Sequence, residues 1–393
     1  MNEEAKGTTD RSDPEDALAA WRSEFPILER KTYLNSCSLG ALSHRSEARL
    51  REFTERWHGE GAAAWYGPWL ERLAELRARV AAFLGGVQGS VALLPSTSSA
   101  LSVIAESLSY EERPRVVTTE LDFPTLAYQW TVKPEVDLVI LESPDGVGVR
   151  EEQFAEAVDG RTAVLATSHV FFTTGFVQEI GALAAIAHRR GALCLIDGYH
   201  GAGQLPADVQ EAGIDVYTGG PLKWLCGGPG LAYLYVRPEL HGTLHPRITG
   251  WFGAANAFDF EIGRLERHDD ARRFEMGTPA LPTVHTALGG QEIVEEVGIG
   301  RIAAHNRRLT ERLVAGCREA GFTLTTAADP ARRSAIVMVR HPEPAAAVES
   351  LASEGIVVDH RPGHVRVSPH FYNTGTEVDC FVEALAATRI SRG

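Results

Sequence analysis

Between residues 70 and 260, short β-rich runs alternate with helical patterns, and this alternation leaves few architectures open. The strand candidates are 91–94, 115–118, 137–141, 163–167, 192–197, 215–218 and 231–236. Between them lie stretches such as 98–109 and 178–190, with apolar residues three and four apart. A chain of this kind builds a mostly parallel sheet covered by helices on both faces. After about Pro279 the pattern changes: two long helices, 283–297 and 302–320, precede a short α+β segment. That segment reads as strand 335–340, a helix to 354, strands 356–359 and 365–368, and a final helix. The expected organisation is therefore α/β. A large domain over 36–278 holds a seven-stranded sheet, followed by a smaller α+β C-terminal domain over 279–393. Residues 15–35 are expected to pack with the smaller domain, and residues 1–14 have the composition of a disordered tail.

Charge and cysteine usage exclude several function classes. The 393 residues carry a formal net charge of −14, which argues against a nucleic-acid groove or an anionic membrane surface as main partner. The five cysteines are scattered without CxxC pairs, so neither a zinc site nor a disulfide framework is expected. The N-terminal stretch is polar and acidic with no apolar leader, and no apolar run approaches the roughly 18 residues that span a bilayer. These features point to a cytoplasmic protein without bound metal.

Only four of the 38 basic residues are lysines, and one of them stands in Gly219-Gly220-Pro221-Leu222-Lys223-Trp224, followed by Gly227-Gly228-Pro229-Gly230. Lys223 falls between two expected strands, where an open α/β sheet presents its ligand crevice. Desolvated there, a lysine becomes a usable amine nucleophile; the alternative is a surface lysine in a loop. Asp197 ends an apolar strand in Asp197-Gly198-Tyr199-His200, which places a carboxylate at the same sheet edge. It suits pairing with a cofactor's ring nitrogen, and equally a helix N-cap. His200 could stack on such a ring or move protons. Pro95-Ser96-Thr97-Ser98-Ser99 follows a strand and opens a helix, a setting for phosphate that any helix also uses for capping. No GxGxxG follows a first strand and no GxxxxGK[ST] occurs, which disfavours a dinucleotide or ATP enzyme. Arg366, on an expected strand of the smaller domain, could pair with a substrate carboxylate, although arginines are abundant in this chain.

Taken together, strand-Ser96-Thr97-Ser98-helix, Asp197-x-x-His200, Lys223 with its glycine-rich follow-on, and Arg366-x-Ser-x-x-x-Tyr372-Asn373-Thr374 resemble class V aminotransferase-fold enzymes. These are pyridoxal-phosphate proteins of fold type I, and the kynureninase branch is the most similar. Further matching pieces are Tyr33-Leu34-Asn35-Ser36, Asp122-Phe123-Pro124-Thr125, Ser168-His169-Val170, Gly250-Trp251-Phe252-Gly253, Gly277-Thr278-Pro279 and His360-Arg361-Pro362-Gly363.

The resemblance implies pyridoxal 5'-phosphate as cofactor, with Lys223 forming the internal aldimine. It implies Asp197 on the pyridine nitrogen, His200 near the ring and Phe123 stacked on its face. Ser96 and Thr97 would hold the phosphate, helped by Trp251 and by Thr278 from a partner subunit. Arg366 would bind the α-carboxylate of an L-amino-acid substrate. A homodimer with active sites at the interface is implied in the same way.

The reaction this suggests, through aldimine and quinonoid intermediates, is kynureninase-like hydrolysis or β- or γ-elimination. Transamination, epimerisation or cyclisation in secondary metabolism share its first steps, and a non-catalytic cofactor-binding regulator is the rival of another class. Three departures from the kynureninase pattern bear on the pocket: Leu222 in place of a tyrosine, Leu126 in place of an aspartate, and Ala254-Ala255-Asn256 after the Gly-Trp-Phe-Gly run. Residues 355–365 contain no cysteine, which disfavours cysteine desulfuration.

Overall fold

The computed structural model describes residues 16–390; the tail expected over 1–14 lies outside them. All seven expected strands join one sheet. A short strand β1 (Thr32–Tyr33) precedes them, and the sheet itself comprises β2 (Val91–Leu94), β3 (Arg115–Thr119), β4 (Asp137–Leu141), β5 (Thr162–Ser168), β6 (Leu193–Asp197), β7 (Val216–Gly219) and β8 (Ala232–Val236), in the order β2-β8-β7-β6-β5-β3-β4. Only β8 runs against its neighbours β2 and β7; the remaining pairs are parallel.

The strands are apolar on both sides, as a sheet covered on both faces requires. Along β6, Cys194 and Ile196 enter one core while Leu195 enters the other, and Tyr233 and Leu234 of β8 divide in the same way. Helices Pro68–Phe83, Ile180–Arg189 and Leu281–Val297 cover the first face. Helices Thr97–Ala105 and Pro124–Thr131 cover the second. Helix Leu281–Val297, expected in the smaller domain, buries its apolar side chains in the first of these cores, against helix His44–Glu60. Packing therefore runs across the boundary expected at 278.

A third core gathers helix Ile299–Glu319, β9 (Val337–Arg340), helix Pro344–Ser353, β10 (Ile356–Val357), β12 (His364–Val367) and helix Gly375–Ile390, with β11 (Asp359–Arg361) paired to β12 outside it. Strands β11, β12 and β9 form an antiparallel sheet in that order. The N-terminal segment is tied to this unit: β1 pairs in parallel with β10, and Arg22 donates to the Glu377 carboxylate at 2.9 Å. Loops at the carboxyl ends of β2, β3, β5, β6 and β7 all open on one edge of the large sheet, which β11 and β12 approach.

Candidate active site

At that edge lies a cavity of about 360 Å³. Its floor comes from loops after three adjacent parallel strands: Asp197, Tyr199 and His200 after β6, Leu222 and Lys223 after β7, and Phe172 after β5. Thr97 and Ser98 contribute from the helix following β2, and Phe123 and Thr125 from the helix following β3. Cys37 and Ser38 of the N-terminal segment, with Arg361 and Arg366 of the β11–β12 hairpin, close the remaining side.

Lys223 Nζ and His200 Nε2 lie 2.7 Å apart, and the ammonium group sits 4.9 Å from the centre of the Tyr199 ring. Burial lowers the Lys223 pKa to about 8, and the Arg366 and Arg361 charges act in the same direction. Burial, then the Lys223 charge, hold His200 well below its usual range, so its imidazole is neutral at pH 7. Its buried Nδ1 has no hydrogen-bond partner among the described residues.

Asp197 is 5% exposed, and its Oδ1 accepts from the Tyr199 N–H at 3.0 Å and the Thr218 hydroxyl at 3.2 Å. Among the described residues nothing donates to Oδ2. Burial raises the Asp197 carboxyl, opposed by the Tyr199 N–H and by the Lys223 charge. Behind the floor, the buried Asp122 accepts from Thr119 N, Thr118 Oγ1, Thr119 Oγ1, Thr167 Oγ1 and Ser168 N. It ties the ends of β3 and β5 together immediately before Phe123.

The helix beginning at Thr97 sets its first two residues, Thr97 and Ser98, at the cavity, and the buried Thr97 Oγ1 has no hydrogen-bond partner among the described residues. An orphaned hydroxyl beside such a terminus suits a phosphate oxygen. Ser96 is engaged otherwise: its hydroxyl caps the helix, accepting from Ser99 N at 3.1 Å and lying 2.9 Å from Ser99 Oγ. Ser98, not Ser96, lines the cavity, with its hydroxyl 2.6 Å from that of Thr125. Phe123 meets the edge of Phe172, with ring centres 5.2 Å apart.

Arg366 is 1% exposed and already paired. Its Nε donates to Asp359 Oδ1 at 2.8 Å, and Nη2 to Asp359 Oδ2 at 2.6 Å and Ser38 Oγ at 2.7 Å. Although burial opposes ionisation, the Arg366 bonds hold the Asp359 carboxyl below its ordinary range. Neither Asp359 nor Ser38 stands out in the sequence as a functional residue. A signal was present, because Pro362-Gly363, with Gly363 at φ 73°, marks a tight hairpin whose register sets Asp359 opposite Arg366.

Trp251 and Thr278 do not reach this cavity within one chain. Trp251 lines a separate groove of about 790 Å³ with Gly250, Ala254, Asn256 and Phe260, and Thr278 is exposed. The expected influence of two departures on the pocket is corrected accordingly. Leu126 packs in the core of the second sheet face, because it lies on the inner side of its helix, and Ala254 and Asn256 line the Trp251 groove. Only Leu222 lines the Lys223 cavity. Among the described residues no helix is long and apolar enough to cross a membrane, and no group of three or more His, Cys, Asp or Glu side chains could hold a metal ion.

Comparison with known proteins agrees with this geometry. A family model described as aminotransferase class-V matches residues 48–391. The chain is 31% identical to an uncharacterized aminotransferase, YcbU, of Bacillus subtilis, over 95% of this chain and 98% of that protein. It is 29% identical to a kynureninase of Pseudomonas fluorescens, over 93% and 91% of the two chains. Among solved structures, a cysteine desulfurase from Thermococcus onnurineus NA1 superposes with a TM-score of 0.85 at 20% identity, covering 94% of this chain and 97% of that one. The cystine C–S lyase C-DES superposes with a TM-score of 0.83 at 20% identity, covering 92% and 99%. These two similarities show the fold. With the motif residues gathered at one sheet edge and the family model spanning most of its length, the chain belongs to the aminotransferase class-V family and is a pyridoxal-phosphate-dependent enzyme of fold type I.

Proposed function

We propose that this enzyme acts on an L-α-amino acid and breaks a bond at the substrate's β- or γ-carbon, as a kynureninase-like hydrolase or an eliminating lyase. The observation that carries the reading is the pairing of Lys223 Nζ with a neutral His200, 2.7 Å away, in one cavity with Asp197 and Arg366. The cofactor, when bound, supplies an electron sink for charge developing at the substrate α-carbon. Asp197 Oδ2 is the free acceptor that would hold a ring N–H, while Thr97 Oγ1 and the helix N-terminus would hold the phosphate. Phe123 and Phe172 supply an apolar wall to the cavity. Lys223, once released, would take the α-proton as general base, and His200 is placed to exchange a proton with it. Arg366 would receive the α-carboxylate. Leu222 removes a hydroxyl that the kynureninase pattern supplies, so ordinary kynurenine hydrolysis is not the reaction favoured.

A homodimer fits the same reading. Trp251 and Thr278, remote from their own chain's cavity, would complete the phosphate site of the partner. Mixing the holoenzyme with a panel of L-amino acids, while recording its visible spectrum and identifying products by mass, tests the assignment. The expected result from at least one substrate is pyruvate or 2-oxobutyrate with ammonia, from elimination, or alanine with an acid fragment three carbons shorter, from hydrolysis, abolished in Lys223→Ala. Exchange of amino groups with a keto acid, without bond cleavage, would identify an aminotransferase instead.

A further inference from the structure

Arg366 has five N–H donors. Nε, both Nη2 hydrogens and one Nη1 hydrogen are already engaged by Asp359, Ser38 and the Phe172 carbonyl, the last at 3.3 Å. A single Nη1 hydrogen remains, too few for the two-pronged grip on a carboxylate that an arginine normally supplies. The second prong has a source. Arg361 lines the same cavity and spends only Nη1, on Asp359 Oδ2 at 3.2 Å and on the His360 carbonyl at 2.7 Å. Its Nε and Nη2 hydrogens have no acceptor among the described residues. Hairpin register explains the grouping: Asp359 faces Arg366 across the strands, and Arg361 follows Asp359 by two on the same face.

We propose that Arg361 is a second binding residue for the substrate carboxylate, and that Asp359, with Ser38, is a positioning residue that aims both guanidinium groups into the cavity. Two guanidiniums and one carboxylate leave a single positive charge at this end of the site. One substrate carboxylate neutralises it; a second would be unpaired next to Phe123, Phe172 and Leu222. The site therefore selects against amino acids whose side chain carries a second carboxylate. This inference rests on the proposed reading of Arg366 as the α-carboxylate site, and it deepens that reading by naming the substrate class.

The test uses the holoenzyme and two probes without an amino group, propionate and succinate, titrated by ligand-observed NMR at low ionic strength. Arg361→Gln is expected to weaken propionate at least tenfold while keeping the cofactor's visible absorbance and the thermal midpoint. Asp359→Asn is expected to weaken it several-fold even though it removes a negative charge, and Ser38→Ala two- to fivefold. Succinate is expected to bind the wild type at least tenfold more weakly than propionate, because its second carboxylate finds no partner. Tighter propionate binding by Asp359→Asn would make Asp359 a mere competitor for Arg366 and overturn its positioning role. If that variant does not fold, unchanged binding by Ser38→Ala overturns the same role. Unchanged binding by Arg361→Gln, or succinate bound as tightly as propionate or more tightly, overturns the shared single-carboxylate site. A chain that binds propionate as expected but gains no visible absorbance with pyridoxal phosphate separates failure of the cofactor assignment from failure of this one.

Discussion

The proposed reactivity of Lys223 rests on surroundings that favour the neutral amine. Of the other lysines described, Lys31 is exposed and Lys133 is ion-paired with Glu106, in a cavity remote from Asp197 and Arg366. Attack on the cofactor's carbonyl needs the neutral amine, so uptake of pyridoxal phosphate by the apoenzyme should accelerate with pH and reach half its maximum near the Lys223 pKa of about 8. Stopped-flow absorbance between pH 6.5 and 9.5 reads this directly, and a midpoint above pH 10 would contradict the burial argument. Stability follows with a definite sign. Between about pH 8 and 10.5 the unfolded chain holds a proton that the folded apoenzyme lacks, so apoenzyme stability contributed by Lys223 rises with pH across that window and is lost below it. The scarcity of lysine, together with the glycine-rich frame between two strands, singled Lys223 out in the sequence, since a guanidinium cannot become the neutral nucleophile. Its depressed pKa came only with the closed cavity.

Two contacts between elements hold the catalytic loops in place. Gly40 donates to the Leu222 carbonyl at 2.8 Å, and a Cβ there would stand 2.0 Å from the Lys223 carbonyl oxygen and 2.9 Å from Cys226 Cα. Both obstacles are backbone, so Gly40→Ala must push the N-terminal segment off the Lys223 loop. We expect a stability loss of about 1–3 kcal/mol, the usual range for overpacking, and at least a tenfold fall in kcat, measured by denaturant unfolding and by turnover. Glu275, 3% exposed, takes both prongs of Arg77 at 2.7 Å and also accepts from Leu93 N at 2.9 Å. It joins helix Pro68–Phe83 to the edge strand β2. Glu275→Ala leaves a mostly buried guanidinium and a buried N–H without partners, and should cost about 3–5 kcal/mol. Removing the exposed Arg51–Glu47 pair should leave the unfolding midpoint unchanged. The sequence marked the strands around these contacts through their apolar runs. Nothing in its local pattern announced that residue 40 touches residue 223, because that approach depends on how the smaller unit docks.

Across the whole molecule, one surface is unusually apolar. Tyr66, Phe258, Phe260, Ile262 and Leu265 are exposed around the Trp251 groove, Phe260 at 71% and Ile262 fully. Patches of this kind mark association surfaces, and a second copy of the chain is the partner we propose. Phe260→Asp with Ile262→Asp should shift the protein toward monomer in analytical ultracentrifugation and weaken cofactor retention, since Trp251 and Thr278 would no longer reach a neighbouring site. A monomeric wild type with full cofactor occupancy would exclude this arrangement. At this scale the alternation of strands and helices by itself determined the seven-stranded α/β sheet, and the motif order determined the family, because periodicity and capping are local properties of the chain. The tertiary structure alone decided that Arg366 is held by Asp359, that Ser96 caps while Ser98 faces the cavity, and that helix Leu281–Val297 belongs to the larger core. Each of those outcomes depends on burial and on contacts between residues far apart in sequence, which no local pattern encodes.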